Sequence, residues 1–395
     1  MTDSVVDNQS LNCNPSLDAF IRDEIATHDG IAFSEYMHHC LYHPQYGYYM
    51  HPRMRIGSQG DFFTSSSVHS LFGGLIARQL VQMWDVLGSE AFTIVEQGAG
   101  EGHLAVDILD EIAANVPELY QQLRYLVVEV SPDNRQRQAN NLRAHVDRVE
   151  WCTFEEVSGI QGCFLSNELV DAFAVAIVEK HQSQLHEVFV VEKDGLLCEE
   201  LRSPVSAKIE THFEALGFAP VEGNRAEVCL AAADWMAAIA NKLERGYVLT
   251  IDYGYPAAEL YAPFRRQGTL LCYCQHTAND NPYQHIGCQD ITSHVDFTLL
   301  QQSGASAGLQ TLYFAEQYRF LIGLGFVEEL VRLQAQEEDE KKAWALRMTL
   351  KNLIMPDGGM GETFKVLIQG KGVDAPQLLC ARSLRDILPE AFAGM

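Results

Sequence analysis

A glycine loop and a following acid are the residues best placed for chemistry. Glu96-Gln97-Gly98-Ala99-Gly100-Glu101-Gly102 follows the apolar run FTIV and opens a helical pattern. Glycines there let the backbone turn sharply and let a ligand approach with no Cβ in the way, while the free amides of a helix start favour an anionic group. The third glycine falls one residue early for GxGxxG, with His103 in the expected place, which counts against a dinucleotide. Glu129 closes YLVVEV, where a carboxylate can accept two hydrogen bonds from ribose hydroxyls. Loop and acid in this order within one βαβ unit read as a binding site. The plainer alternative is a tight turn and an exposed strand end.

A second candidate, Ser166-Asn167-Glu168, ends the run CFLSN, at the sheet edge where open α/β folds bind ligands. Asp171 and Glu179 follow as further acids, and Asp252 ends YVLTID, where it either reaches the same cleft or caps a turn. Cys272, Cys274, His276, His285, Cys288 and His294 invite a zinc reading, but their CxC and HxxC spacings form no standard pair of knuckles, so no metal is expected. His276, Asp290 and His294 are read as ordering a long insertion, and His38, His39 and His43 as packing among tyrosines.

These residues need a scaffold, and the pattern supplies an α/β one. From Phe92 strands alternate with helices, which implies a parallel sheet with right-handed crossovers: FTIVEQ, a helix over Glu101–Asn115, YLVVEV, a helix from Ser131, a short strand near Val149, CFLSN, YVLTID and FKVLIQ. The expected organisation is an N-terminal helical and loop flank over 1–90, a core over 91–372 with a β-rich insertion at 174–228 and a loop-rich one at 253–345, and a tail over 373–395. A charged helix is expected around Leu330–Leu346.

Composition narrows the functional classes. Hydrophobic residues make up 47% and charged residues 21%, which is ordinary globular material. A net charge of -25 makes a nucleic-acid backbone an unsuitable ligand and favours a cationic or neutral one. Ten cysteines with no CxxC pair point to reduced thiols. The first residues lack the features of a signal or transit peptide, and no apolar run would insert stably in a membrane, so a cytoplasmic location is expected.

The GxGxG loop with its preceding acid resembles the first motif of class I methyltransferases. The blocks YHPQYGYY, GDFFTS, LFGGLIARQL, EQGAGEGHLAVDIL, VVEVSP, SNELVDAF, IDYG, GTLLCYCQH, GCQDITSHVDF and ETFKVLIQGKG resemble, in this order, the bacterial and mitochondrial methyltransferases related to MidA and to mitochondrial complex I assembly factor 7. Ala174 stands where that family commonly has proline, and Ser66-Ser67 where proline or alanine is frequent. The resemblance implies a doubly wound, Rossmann-like class I methyltransferase fold and S-adenosylmethionine as methyl donor. It also implies, in the mitochondrial branch, symmetric dimethylation of an arginine in a complex I subunit. The cofactor residues it implies are Glu96, Gly98, Gly100, Gly102 and Glu129, with Gly60, Asp61, Thr64 and Ser65 as neighbours.

A guanidinium is fully protonated, and carboxylates can hold it bidentately and concentrate electron density on one nitrogen. The SNE opening, with Glu179 eleven positions after Glu168, is similar to the paired-glutamate loop of protein arginine methyltransferases. Glu168 and Asn167 are therefore expected on the acceptor side, with Asp171 and Glu179 competing for the second carboxylate. The expected partner is a protein carrying a target arginine, and a homodimer stays open. The competing readings are a small-molecule methyltransferase and a catalytically silent assembly factor on the same fold.

Overall fold

The computed structural model of the chain describes residues 14–50, 69–274, 277–355, 360–383 and 387. The expected site residues Gly60, Asp61, Thr64 and Ser65, and also His276, lie outside them. The described residues fall into two compact units. One is drawn from Met1–Phe62, Asp171–Ala232 and Pro256–Asp296, the other from Phe63–Val170, Ala233–Tyr255 and Phe297–Met395.

The second unit carries the sheet that the alternation implies. Its strands are β1 (Phe92–Gln97), β2 (Leu123–Val128), β3 (Val149–Cys152), β4 (Ile160–Asn167), β5 (Leu243–Tyr255), β6 (Gln310–Glu316) and β7 (Phe364–Lys371). They lie in the order β3-β2-β1-β4-β5-β7-β6. The first five pair in parallel, and β7 runs antiparallel to both β5 and β6. Ile94, Val95, Tyr125, Val127, Cys163 and Leu165 are buried, which is why these strands read as continuous apolar runs. Helix Leu71–Leu87 buries Phe72, Leu75, Ile76, Leu80 and Met83 at helical spacing and packs on His103–Asn115. Trp84 donates its indole N–H to Glu90 O at 2.7 Å just beyond the helix's end.

The first unit is antiparallel. Gln184–Lys193 pairs with Ile31–Ala32, Ala176–His181 and Leu196–Arg202, and Ala176–His181 pairs in turn with Arg225–Val228. A smaller sheet joins Leu271–Cys274 to Thr277–Asn279 and Asp290–Thr292. Helix Pro15–His28 starts at a side-chain cap, Asn14 Oδ1 accepting from Leu17 N–H at 3.2 Å, with proline at its first position. It buries Leu17, Ile21 and Ile25, which pack with Phe33, Tyr36, Val188 and Val190. His38 packs 5.6 Å from Tyr42, His43 stacks on Tyr46 at 5.1 Å, and Phe20 meets His39 and His43 edge-on.

The chain divides differently from the boundaries expected of the sequence. The 1–90 flank splits, because Leu71–Leu87 belongs with the parallel sheet. The second insertion closes at Asp296, since Gln310–Glu316 forms β6; a register shift between Thr311 and Tyr313 breaks the period-two pattern that would reveal it. One charged helix around 330–346 is in fact two, Phe326–Gln336 and Glu340–Lys351. Cys380 in the tail is buried, its N–H donating to Gln79 Oε1 at 3.0 Å. Cys288 is disulfide-bonded, which corrects the expectation of reduced thiols throughout; an isolated cysteine carries no pairing signal in its spacing. No helix among the described residues is long and apolar enough to cross a membrane.

At the start of β4, Gly162 faces Thr93 of β1 and Gly246 of β5. A Cβ on Gly162 would lie 2.0 Å from Thr93 O, at φ +148°. Gly162→Ala is expected to destabilise by about 3 kcal/mol or more. Gly159→Ala, with a left-handed φ but nothing within 4 Å, should lose only about 1 kcal/mol. Urea denaturation of both variants checks this, and equal losses would contradict the close approach of the strands.

Candidate active site

In the parallel register β1 ends at Gln97, opposite Val128 of β2 and Ser166 of β4. The residues that follow these strands therefore emerge at one edge: Gly98–Gly102, Glu129 and Glu168. The strand order reverses between β1 and β4, so this edge is the topological switch point, where open α/β sheets bind ligands.

Gly98, Gly100 and Gly102 have φ of +75°, +54° and +85°. That conformation costs a residue with a side chain about 1–2 kcal/mol. At Gly98 a Cβ would lie 2.8 Å from Leu169 Cδ1, so that side chain would have to shift. Gly102 N–H donates to Ala99 O at 2.7 Å, and His103–Asn115 begins at the next residue, with first-turn amides that have no intrahelical partner.

Glu96 lies inside the sheet, 2% exposed, and accepts the Tyr125 hydroxyl at 2.7 Å. Burial pushes its carboxyl up to about 7; the Tyr125 hydrogen bond opposes the rise and the charge of Glu129 adds to it. Glu129 is also buried, and burial raises its carboxyl above the usual range against opposing hydrogen bonds from Ser131, Asn134, Gln138 and the Val130 backbone. Ser131 N–H reaches Oε1 at 2.8 Å, while Asn134 Nδ2 and Gln138 Nε2 reach Oε2 at 3.2 and 3.0 Å. Sequence reasoning missed Gln138, whose only signal is a polar residue on a helix of polar residues.

Glu168 follows β4 in a left-handed conformation, φ +53°, which is uncommon for a non-glycine residue and is held here by its surroundings. Its N–H donates to Ile251 O at 2.9 Å. Asp252, fully buried, accepts Leu169 and Val170 N–H on Oδ2 at 3.2 and 2.8 Å, and Tyr253 N–H on Oδ1 at 2.9 Å. Of the two readings left open for Asp252, it caps the turn. Asn167 Nδ2 donates to Glu168 Oε1 at 3.1 Å. Asn167 Oδ1 and Ser166 Oγ are buried without a hydrogen-bond partner among the described residues.

The other two acceptor-side candidates belong to the antiparallel unit. Asp171 is buried, and its carbonyl accepts Ser293 N–H at 3.0 Å. Glu179 faces Arg225 across the strand pair Ala176–His181 and Arg225–Val228, and its carboxylate accepts Arg225 Nε at 3.2 Å. Arg225 also pairs with Glu199.

A family model for S-adenosyl-L-methionine-dependent methyltransferases matches residues 75–315. The chain belongs to this family. It is 31% identical to a Burkholderia thailandensis protein described as a methyl transferase and solved with S-adenosyl-homocysteine bound; the two superpose with a TM-score of 0.82 over 92% of this chain and 94% of that one. It is 28% identical to the Drosophila melanogaster protein arginine methyltransferase NDUFAF7 homolog, mitochondrial, over 92% of this chain and 86% of the relative. With the human protein arginine methyltransferase NDUFAF7, mitochondrial, identity is 26% over 85% and 78%. The family resemblance read from the sequence blocks and the α/β methyltransferase fold are both borne out.

The chain is thus a methyltransferase with S-adenosylmethionine as cofactor. The edge fits that group: three left-handed glycines, at alternate positions of the loop, leave its backbone open to approach, a carboxylate stands at the end of β2, and two orphaned polar atoms lie at the end of β4. When bound, the cofactor supplies an electrophilic methyl group on a sulfonium, so no acid, base or metal has to activate a leaving group. The residues that would hold it are Gly98, Gly100 and Gly102, whose backbone would let it approach, and Glu129, which would offer an acceptor to ribose hydroxyls.

Because the native state keeps the Glu96 proton up to about pH 7 and the unfolded chain releases it near 4.5, this group's contribution is full below 4.5 and lost as pH rises through 7. Relative to wild type, Glu96→Gln should therefore gain about 3 kcal/mol in stability between those limits. Urea titrations across the interval measure it, and parallel pH curves for the two proteins would contradict a buried, proton-holding Glu96.

Proposed function

We propose that the chain is a protein arginine N-methyltransferase, with S-adenosylmethionine held by Gly98, Gly100, Gly102 and Glu129 and the acceptor guanidinium held by Glu168 and Asn167. The observation that carries this reading is Glu168 itself. A glutamate fixed in a left-handed conformation at a strand end, on a turn locked by Asp252, is what a site needs in order to aim one carboxylate. It stands at the same edge as the glycine loop.

The relatives named above as protein arginine methyltransferases support an arginine acceptor, and the net charge of -25 suits a cationic one. A carboxylate at Glu168 holds the planar guanidinium and draws its positive charge away from the attacking nitrogen. Of the two acids that compete for the second carboxylate, Glu179 is engaged by Arg225. We take the product to be symmetric dimethylarginine on a respiratory complex I-type or related subunit, and the site of action to be the bacterial cytoplasm. Mass spectrometry of cell proteins with and without the gene tests this through the loss of a methylarginine. Loss of a methylated metabolite with the methylarginines intact would favour a small-molecule acceptor.

Glu168→Gln should keep donor affinity within about twofold yet lose at least about 100-fold in transfer, the scale for removing a charge that acts in the transition state. Transfer to a lysine-substituted acceptor peptide should fail, because an ammonium lacks the planar fork. Wild-type turnover in Glu168→Gln would remove this residue from the chemistry, and lost donor binding would move it to the cofactor side.

A further inference from the structure

We infer that Gln138 is a positioning residue for the cofactor, its amide locking the glycine loop and the ribose-binding acid into one arrangement. The inference rests on the reading of Glu129 as the ribose acceptor. Gln138 is fully buried on helix Pro132–Asn141. Its Nε2 donates to Gly100 O at 2.8 Å and to Glu129 Oε2 at 3.0 Å, so both amide hydrogens are used on the two halves of the site. Its Oε1 accepts Trp151 Nε1–H of β3 at 2.9 Å. An indole nitrogen can only donate, so Trp151 fixes which way the amide faces and directs the NH2 group at the loop and the acid. The side-chain stem lies under the loop's last glycine, where a Cβ on Gly102 would come within 3.3 Å of Gln138 Cγ.

Each contact constrains something the cofactor would meet. With the Gly100 carbonyl turned toward Gln138, the amide N–H of Glu101 on the same planar trans peptide faces the opposite way. With one Glu129 oxygen held by Gln138 and Asn134 and the other by Ser131, the carboxylate has a single orientation before any ligand arrives. Pre-ordering lowers the cost of binding. Of the common side chains of this length only an amide offers two donors and one acceptor together: glutamate would set a second carboxylate against Glu129, and methionine would leave Gly100 O and Trp151 N–H without partners.

The test is donor-site affinity, measured calorimetrically with S-adenosylhomocysteine, in Gln138→Met, Gln138→Glu, Trp151→Phe and Glu129→Ala, with thermal unfolding in parallel. Gln138→Met should raise Kd by about 10- to 100-fold, the range for losing a hydrogen bond to a charged group. Trp151→Phe, which keeps the amide but frees its orientation, should raise it by less, about three- to tenfold. Gln138→Glu should bind worst at high pH and recover toward wild type as pH falls, since a protonated carboxyl can again donate to Glu129; a merely structural role would leave the ratio to wild type flat with pH. Wild-type Kd in Gln138→Met and Trp151→Phe beside a weakened Glu129→Ala overturns the inference alone. Wild-type Kd in Glu129→Ala overturns the cofactor reading beneath it.

Discussion

The parallel register that sets β1 between β2 and β4 is the constraint on which the site depends. With Gln97 level with Val128 and Ser166, three separate stretches of sequence leave the sheet at the same height, and each delivers a functional group at its next residue or loop. A slip of one residue in either pairing would turn every following side chain to the other face. At the opposite end of the strands Gly162 lies close against Thr93 and Gly246, which constrains the pairing of β4 with β1 and β5. Backbone pairing thus does the placing, and the side chains refine it.

The refinement is costly at the site. Glu96, Glu129 and Asp252 are buried carboxylates within one unit, and each is met by donors: a tyrosine hydroxyl, a mixed backbone and amide set, and three backbone amides. Burying an ionised carboxylate without such donors would cost several kcal/mol. Glu96 answers partly by holding its proton, whereas Asp252 uses its oxygens to accept the backbone amides of the turn after Glu168, whose φ few side chains adopt.

Much of this was legible in the sequence because it is local. Strand, glycine loop, helix and acid occur within one βαβ unit, and apolar runs ended by SNE and by a lone aspartate mark strand ends without reference to anything distant. What could not be read depends on partners far along the chain. Glu179 looks paired with Glu168 at a separation of eleven, yet the cross-strand register gives it to Arg225. Asp252 looks like either a cleft residue or a cap until Leu169 and Val170 are brought to it. Gln138 carries no motif at all, since its importance lies in three contacts at separations of nine, thirteen and thirty-eight residues. The gathering of three distant segments into an antiparallel unit is invisible to any local pattern for the same reason.

In the proposed arrangement the cofactor is held at the joined ends of β1 and β2, with Glu168 beside it on the acceptor side. Hydrogen–deuterium exchange of the full chain with and without S-adenosylhomocysteine tests it most directly, because backbone amides report ligand contact by position. Protection is expected chiefly in Gln97–Leu104 and Glu129–Gln138, with Gln184–Arg202 of the antiparallel unit unchanged. Protection centred on the antiparallel strands, with the glycine loop exchanging as in the free protein, would contradict it.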